Sequence, residues 1–282
     1  MNRKALEKLY SLHANSLGQP LPKLELVHLQ KRITRHTPKR FLEVGTGSGF
    51  TGGFICNFLD DCEAEVFHTI DEDTEFYGDR SKPVGHMLRT LYDGDDVDVK
   101  IEGGTTVLDL PKNMDPFDMV FLDGNRQHPW PLLDALLLAP RLRGPKEILM
   151  SNLLLYQLPN DFHSIGPKIL FDQLPPTHRG IDNSSGKNMF AASMKIPEQN
   201  LETIAVTGFT IPWTLLDPLT EEQLEKAAAA LRWHYGAKTA RIFKEAAERF
   251  NWIRVPRVKR ARHKIRTTLH GFAGLPEPKL KH

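Results

Sequence analysis

Five short apolar runs stand out along the first half of the chain: RFLEV (40–44), EVFHTI (65–70), VDVKI (97–101), FDMVFL (117–122) and EILMS (147–151). Stretches with helical spacing of apolar residues lie between them, near 50–59, 83–92 and 131–142. Strand-length runs separated by helical segments predict parallel crossovers, and so a doubly wound, mostly parallel α/β sheet. FDMVFL is apolar apart from one acid, which suits a strand covered on both faces.

The flanks read differently. The first 37 residues are helical in pattern, broken at GQPLP (18–22) and resumed in LELVHLQKRITRH until Pro38 stops them. Beyond Asn152 the periodicity is weaker. It predicts a helix near 164–174, a strand pair around 178–196 turning at NSSGKN (183–188), and a further strand at TIAVTGFTI (203–211). Residues 220–252 predict two helices, and 253–282 are basic and then proline-rich. The expected organisation is an N-terminal helical cap (1–38), a Rossmann-like α/β domain (39–200), a C-terminal strand and helices (201–252) and a basic tail (253–282).

Composition narrows the class without naming a function. A chain of 282 residues suits one α/β domain with added elements, and 40% hydrophobic with 26% charged residues is ordinary for a globular protein. Two cysteines, Cys56 and Cys62, build neither a disulfide framework nor a structural zinc site, which predicts a reducing, cytoplasmic setting. The N-terminus lacks the unbroken apolar core of a signal peptide. The most apolar stretch, WPLLDALLLAPRL, carries Asp134 and Pro140 and is too short to span a bilayer. Charge is segregated. Residues 221–282 hold 15 Lys and Arg against 6 Asp and Glu, while residues 1–220 hold 22 against 29. The basic tail could contact nucleic acid, anionic lipid or another polyanion, or remain a solvated end.

The sharpest local signal is Phe41-Leu42-Glu43-Val44-Gly45-Thr46-Gly47-Ser48-Gly49-Phe50. A strand enters a loop with glycine at every second position, and a helix follows. Such a loop, at the carboxyl edge of a parallel sheet, suits a nucleoside-bearing cofactor. Residues 47–52 also spell G-x-G-x-x-G, which by itself suggests a dinucleotide. The register argues against that, because the strand already closes at Gly45. The second strand ends in Ile70-Asp71-Glu72-Asp73, where a carboxylate can accept both ribose hydroxyl protons or cap the next helix. IEGGTTV (101–107) brings paired glycines and threonines to the end of the third strand, either at an adenine edge or in an ordinary tight turn.

The order FLEVGTGSG, HTIDED, EGGTT, MVFLDG resembles the class I methyltransferases that use S-adenosylmethionine (SAM), over residues 24–152. The flavour is that of small-molecule O-methyltransferases of the catechol O-methyltransferase type and relatives acting on sugar-bearing natural products. The resemblance implies a transferase whose residues 39–200 bind SAM. Glu43, Gly45, Thr46, Gly47 and Gly49 would line its methionine half. Asp71 would hold the ribose, Gly103, Gly104 and Thr105 would border the adenine, and Asp123 and Gly124 would sit beside the reacting methyl.

The family follows that aspartate with a spacer and a basic residue; here the segment reads Asp123-Gly124-Asn125-Arg126, with His128 two residues on. Metal-dependent members also carry an Asp-Asn pair after the fifth strand, where this chain has Ser151-Asn152, so no metal is expected. His128 and Asp123 are the candidate proton acceptors, and Arg126 would steady negative charge. The expected acceptor is a small molecule or a glycoside. An NAD(P)-linked oxidoreductase and an RNA-directed or non-catalytic SAM-binding protein are the alternatives.

Overall fold

A computed structural model describes residues 1–13, 21–182, 191–196 and 200–251. Among the described residues seven strands form one sheet in the order β3-β2-β1-β4-β5-β7-β6. The strands are β1 (Arg40–Val44), β2 (Val66–Asp71), β3 (Asp98–Gly103), β4 (Phe117–Leu122), β5 (Leu142–Met150), β6 (Arg179–Asp182) and β7 (Ala191–Lys195). The first five run parallel, with Val44 paired to Ile70 on one side and to Leu122 on the other. β7 is antiparallel to both β5 and β6. The helices are α1 (Arg3–His13), α2 (Lys23–His36), α3 (Phe50–Asp60), α4 (Leu88–Leu91), α5 (Trp130–Leu138), α6 (Gly166–Gln173), α7 (Leu201–Phe209) and α8 (Glu221–Phe250). Among the described residues no helix is long and apolar enough to cross a membrane.

Alternation along the strands sorts the core into two layers. Leu42, Val44, Val120, Leu122, Ile148 and Met150 face a layer built with α5, α7 and α8. Phe41, Phe67, Met119, Phe121 and Leu149 face the opposite layer, built with α2 and α3. β1 and β4 are buried on both faces, as apolar runs in a covered parallel sheet must be.

Several expectations are corrected. TIAVTGFTI is not a strand; its residues fall in α7 and the turn after it. Ile204, Ala205, Gly208 and Phe209 are its buried residues beyond Leu201, a helical spacing, and Gly208 sits so close to Leu132 that an added Cβ would stand 2.3 Å from Leu132 Cδ2. The β-branched residues between them suggested a strand, but packing against α5 decides. The stretch 83–92 is helical only as the single turn α4. The 220–252 pattern is one long element broken at Gly236, whose φ of 85° and ψ of 173° end the first helical half. The turn at 183–188 and the tail at 253–282 lie outside the described residues.

α2 is held on the sheet by charge as well as by apolar contact. Glu147 of β5 is fully buried and ion-paired with Arg32, and His36 Nε2 lies 2.7 Å from its Oε2. Removing one partner leaves a buried carboxylate undercompensated, which typically costs about 3 kcal/mol or more. Arg32→Ala should therefore lower the melting temperature by about 10 °C; an unchanged melting curve would show that the pair does not hold α2.

Candidate functional site

The glycine loop leaves β1 at the carboxyl edge of the sheet and rims a cavity of about 340 Å³, within the range of small-ligand clefts. Gly45 has φ of 99°, and a Cβ there would stand 2.5 Å from Gly124 N and 2.6 Å from the Asp123 carbonyl carbon. The ends of β1 and β4 thus touch backbone to backbone, joined by Asp123 N–H donating to Val44 O at 2.8 Å. Gly47, with φ of 52°, is different: a Cβ would meet only Tyr77 Cε1, at 3.8 Å. Its open side faces the cavity, which Tyr77 also lines.

Asp71 closes the loop from β2. Its Oδ2 accepts from Gly47 N–H at 2.8 Å and its Oδ1 from Asp73 N–H at 3.0 Å. A carboxylate has about four lone-pair sites, so two remain for ligand hydroxyls. Thr105 N–H donates to the Asp71 carbonyl at 2.8 Å, which brings the β3 loop to the same wall. Thr46, Thr105, Asp123, Gly124 and Arg126 also line the cavity.

At the end of β4, Asp123 gathers its surroundings on one oxygen. Oδ1 accepts from Arg126 Nη2 at 2.9 Å, Ser151 Oγ at 2.5 Å and Asn152 Nδ2 at 2.8 Å. Oδ2 accepts nothing from a described residue. The Arg126 guanidinium is thus already paired with a carboxylate, and its Nε is buried without a hydrogen bond. Among the described residues no three or more His, Cys, Asp or Glu side chains gather as a metal cluster.

Five sequence-predicted residues stand elsewhere. Glu43 lies behind the loop, fully buried on the α3 side, with Oε2 accepting from Thr69 Oγ1 at 2.7 Å; burial pushes its carboxyl well up. Gly49 caps α3 against Gly85. Gly103 and Gly104 let the β3 end pack on the segment after β2, where a Cβ on Gly103 would stand 2.9 Å from Val84 Cγ2. His128 is the main correction. It is fully buried in the core under α7, its Nε2 lies 3.1 Å from Gly208 O, and its backbone N–H bonds Thr214 Oγ1. It does not line the cavity. Its loop position suggested a base, but the neighbouring α7, which sequence patterning misassigned, covers it.

Burial lowers the His128 pKa to about 4. An unfolded histidine titrates near 6.5. As pH falls from about 6.5 towards about 4 the unfolded chain binds a proton that the native imidazole refuses, so stability falls by about 3 kcal/mol over that window. Urea unfolding at pH 7 and at pH 4.5 should show a smaller acid loss in His128→Gln than in the parent; equal losses would contradict this assignment.

Two acids were given no role from the sequence. Glu25 of α2 is fully buried, and neither carboxyl oxygen has a hydrogen-bond partner among the described residues. Burial and the charge of Asp123 raise it to about 8, against the pull of Arg126. Asp134 lines the cavity from α5, and its pKa is raised to about 8 by burial and then by Glu72. Its signal was in the sequence: one acid inside an otherwise apolar helix.

No family model matches the chain, and no curated protein matches its sequence. Solved structures do match. A putative caffeoyl-CoA O-methyltransferase from Staphylococcus aureus superposes with a TM-score of 0.51 at 16% identity, over 68% of this chain and 92% of that one. The chain has the methyltransferase fold. Similar in the same way are an O-methyltransferase from Bacillus cereus in complex with SAH (TM-score 0.48, 15% identity, 70% and 92% covered) and the O-methyltransferase of tomaymycin synthesis from Streptomyces achromogenes in complex with SAM (0.47, 17%, 70% and 92%). Within that methyltransferase fold the glycine loop, Asp71 and Asp123 occupy the carboxyl ends of β1, β2 and β4, where an open α/β sheet binds its ligands.

Proposed function

We propose that the chain is a SAM-dependent methyltransferase that methylates a hydroxyl oxygen on a small molecule or glycoside. The observation that carries this reading is the open cradle at Gly47, closed by Asp71, in a cavity within the small-ligand range. Gly45, Thr46 and Gly47 would take the methionine half, the free lone pairs of Asp71 the ribose, and Thr105 the edge of the base. The dinucleotide alternative is less well supported, because β1 ends at Val44 and the G-x-G-x-x-G match begins only three residues later.

The donor, when bound, supplies a methyl group already activated by positive sulfur, so the protein has to align the acceptor and take its proton. With His128 in the core, Asp123 is the candidate acceptor of that proton through its free Oδ2. Arg126, Ser151 and Asn152 hold it by the other oxygen. No metal enters this reading: Ser151 stands where a carboxylate ligand would be needed, and the oxygen of Asp123 that it meets is occupied by three donors.

The test is transfer of labelled methyl from SAM to a panel of phenolic and glycosidic hydroxyls, in excess chelator. Transfer should persist with chelator and fall about 10²–10⁴-fold in Asp123→Asn. Transfer abolished by chelator and restored by Mg²⁺ would overturn the metal-free assignment. SAM binding without transfer to any hydroxyl would favour a non-catalytic role.

A further inference from the structure

Tyr77 is a cavity residue that the donor reading leaves without a task. Of the large apolar and aromatic side chains that line the cavity among the described residues, it is the one exposed, at 67%; Leu21, Phe50, Phe76 and Trp130 are buried. A single exposed ring is ordinary on a protein surface. This one is propped at a cavity mouth. Between β2 and α4 the chain folds into a small hairpin, with Glu75 bridging Pro83, Phe76 N–H donating to Lys82 O at 2.8 Å and Val84 N–H to Thr74 O at 3.1 Å. The base of the hairpin is tied to the glycine loop. Gly85 N–H donates to Gly47 O at 3.0 Å and Met87 N–H to Ser48 O at 2.8 Å. Inside it Phe76 is clamped, its ring 5.2 Å from that of His86, and a Cβ on Gly78 would stand 2.6 Å from its Cε1. Tyr77 leans on Phe76, with 4.7 Å between ring centroids and 59° between planes. Only Cε1 of Tyr77 approaches the glycine loop, 3.8 Å from where a Cβ on Gly47 would stand. The ring is held by protein on one side and open to solvent elsewhere.

The second observation is room. A cavity of about 340 Å³ is at the small end of ligand clefts. On the donor reading, on which this inference rests, SAM occupies it, and the body of the acceptor has to lie at its mouth. Gly45, packed against Asp123, and Gly47, beside Tyr77, are two residues apart, at most about 7 Å along the chain. A molecule with its hydroxyl at Asp123 therefore reaches Tyr77. We propose that Tyr77 is the specificity-determining residue for the acceptor, whose ring packs on the open side of the phenol ring while its hydroxyl meets Asp123. A tyrosine suits this post, since its large contact area is fixed by two rotatable bonds and costs little entropy to order.

The experiment measures binding of three probes to the full chain, Tyr77→Phe and Tyr77→Ala, each saturated with SAH, by ligand-observed NMR. The probes are catechol, with an aromatic ring, methyl glucoside, with a sugar ring, and ethylene glycol, with none. Each is taken to about 10 mM, where even a millimolar ligand is mostly bound. At least one ring-bearing probe should bind the parent, and which one does so tells the two ring types apart. Its affinity should stay within about twofold in Tyr77→Phe and fall about tenfold in Tyr77→Ala, the scale of a lost ring contact and its buried area. Ethylene glycol should not bind. SAH affinity should stay within about twofold in both variants, and the melting temperature of Tyr77→Ala within about 2 °C, as for an exposed side chain. The proposal is overturned if neither ring binds the SAH-loaded parent, if ethylene glycol binds as well as the rings, or if Tyr77→Ala keeps parent-like ring binding. A fall in SAH affinity in Tyr77→Ala would overturn it too, by making Tyr77 a donor contact. Absence of SAH binding by the parent itself would instead defeat the donor reading, and this proposal with it.

Discussion

Gly47→Val is expected to abolish SAM binding in a chain that still folds. Gly47 sits at φ of 52°, a region that β-branched residues rarely adopt, so the substitution carries a strain of about 1–3 kcal/mol. That cost is small beside the stability of a typical domain. No backbone stands in the way, since an added Cβ meets only Tyr77 at 3.8 Å. The side chain instead projects into the cavity, where the donor's methionine half is assigned. It also disturbs the Gly47 N–H that Asp71 accepts at 2.8 Å. A loss of binding beyond about a hundredfold with native-like circular dichroism is the expected result, on the scale of a lost hydrogen bond plus a filled subsite. Undiminished binding would place the donor elsewhere.

Gly45→Ala, two residues earlier, should do the opposite and damage the fold itself. Its Cβ would lie 2.5–2.6 Å from the backbone of Asp123 and Gly124, with φ of 99° adding strain. Backbone cannot rotate away as a side-chain tip can. The ends of β1 and β4 would have to separate, breaking the Asp123 N–H to Val44 O bond and disturbing the Val44–Leu122 register. Overpacking between buried strands together with a forced φ is worth about 4 kcal/mol. The melting temperature should fall by about 10 °C or more. A variant as stable as the parent would show that the two loops do not meet as described.

These two glycines mark how far the sequence could be read. The strands were legible because β1 and β4 are buried on both faces, so their residues must be apolar almost without a break. The glycine loop was legible because few residues other than glycine sit at positive φ. Which glycine faces the cavity and which faces a neighbouring strand depends on β4 and the α4 region, distant in sequence. Alternating glycines alone cannot report that. His128 was misread for the same reason: its burial is imposed by α7, eighty residues away, where β-branched side chains imitated a strand. Glu25 was passed over because a single acid in an amphipathic helix reads as a surface residue until tertiary packing closes over it, and Asp134 was noted only as a break in an apolar stretch.

The cavity at Gly45–Gly47 and Asp71 is proposed to bind SAM. Calorimetric titration of the full chain with SAM and, separately, with NADH tests it most directly. One SAM is expected to bind per chain with micromolar affinity, and NADH is expected to give no heat. Saturable NADH binding with none for SAM would contradict it.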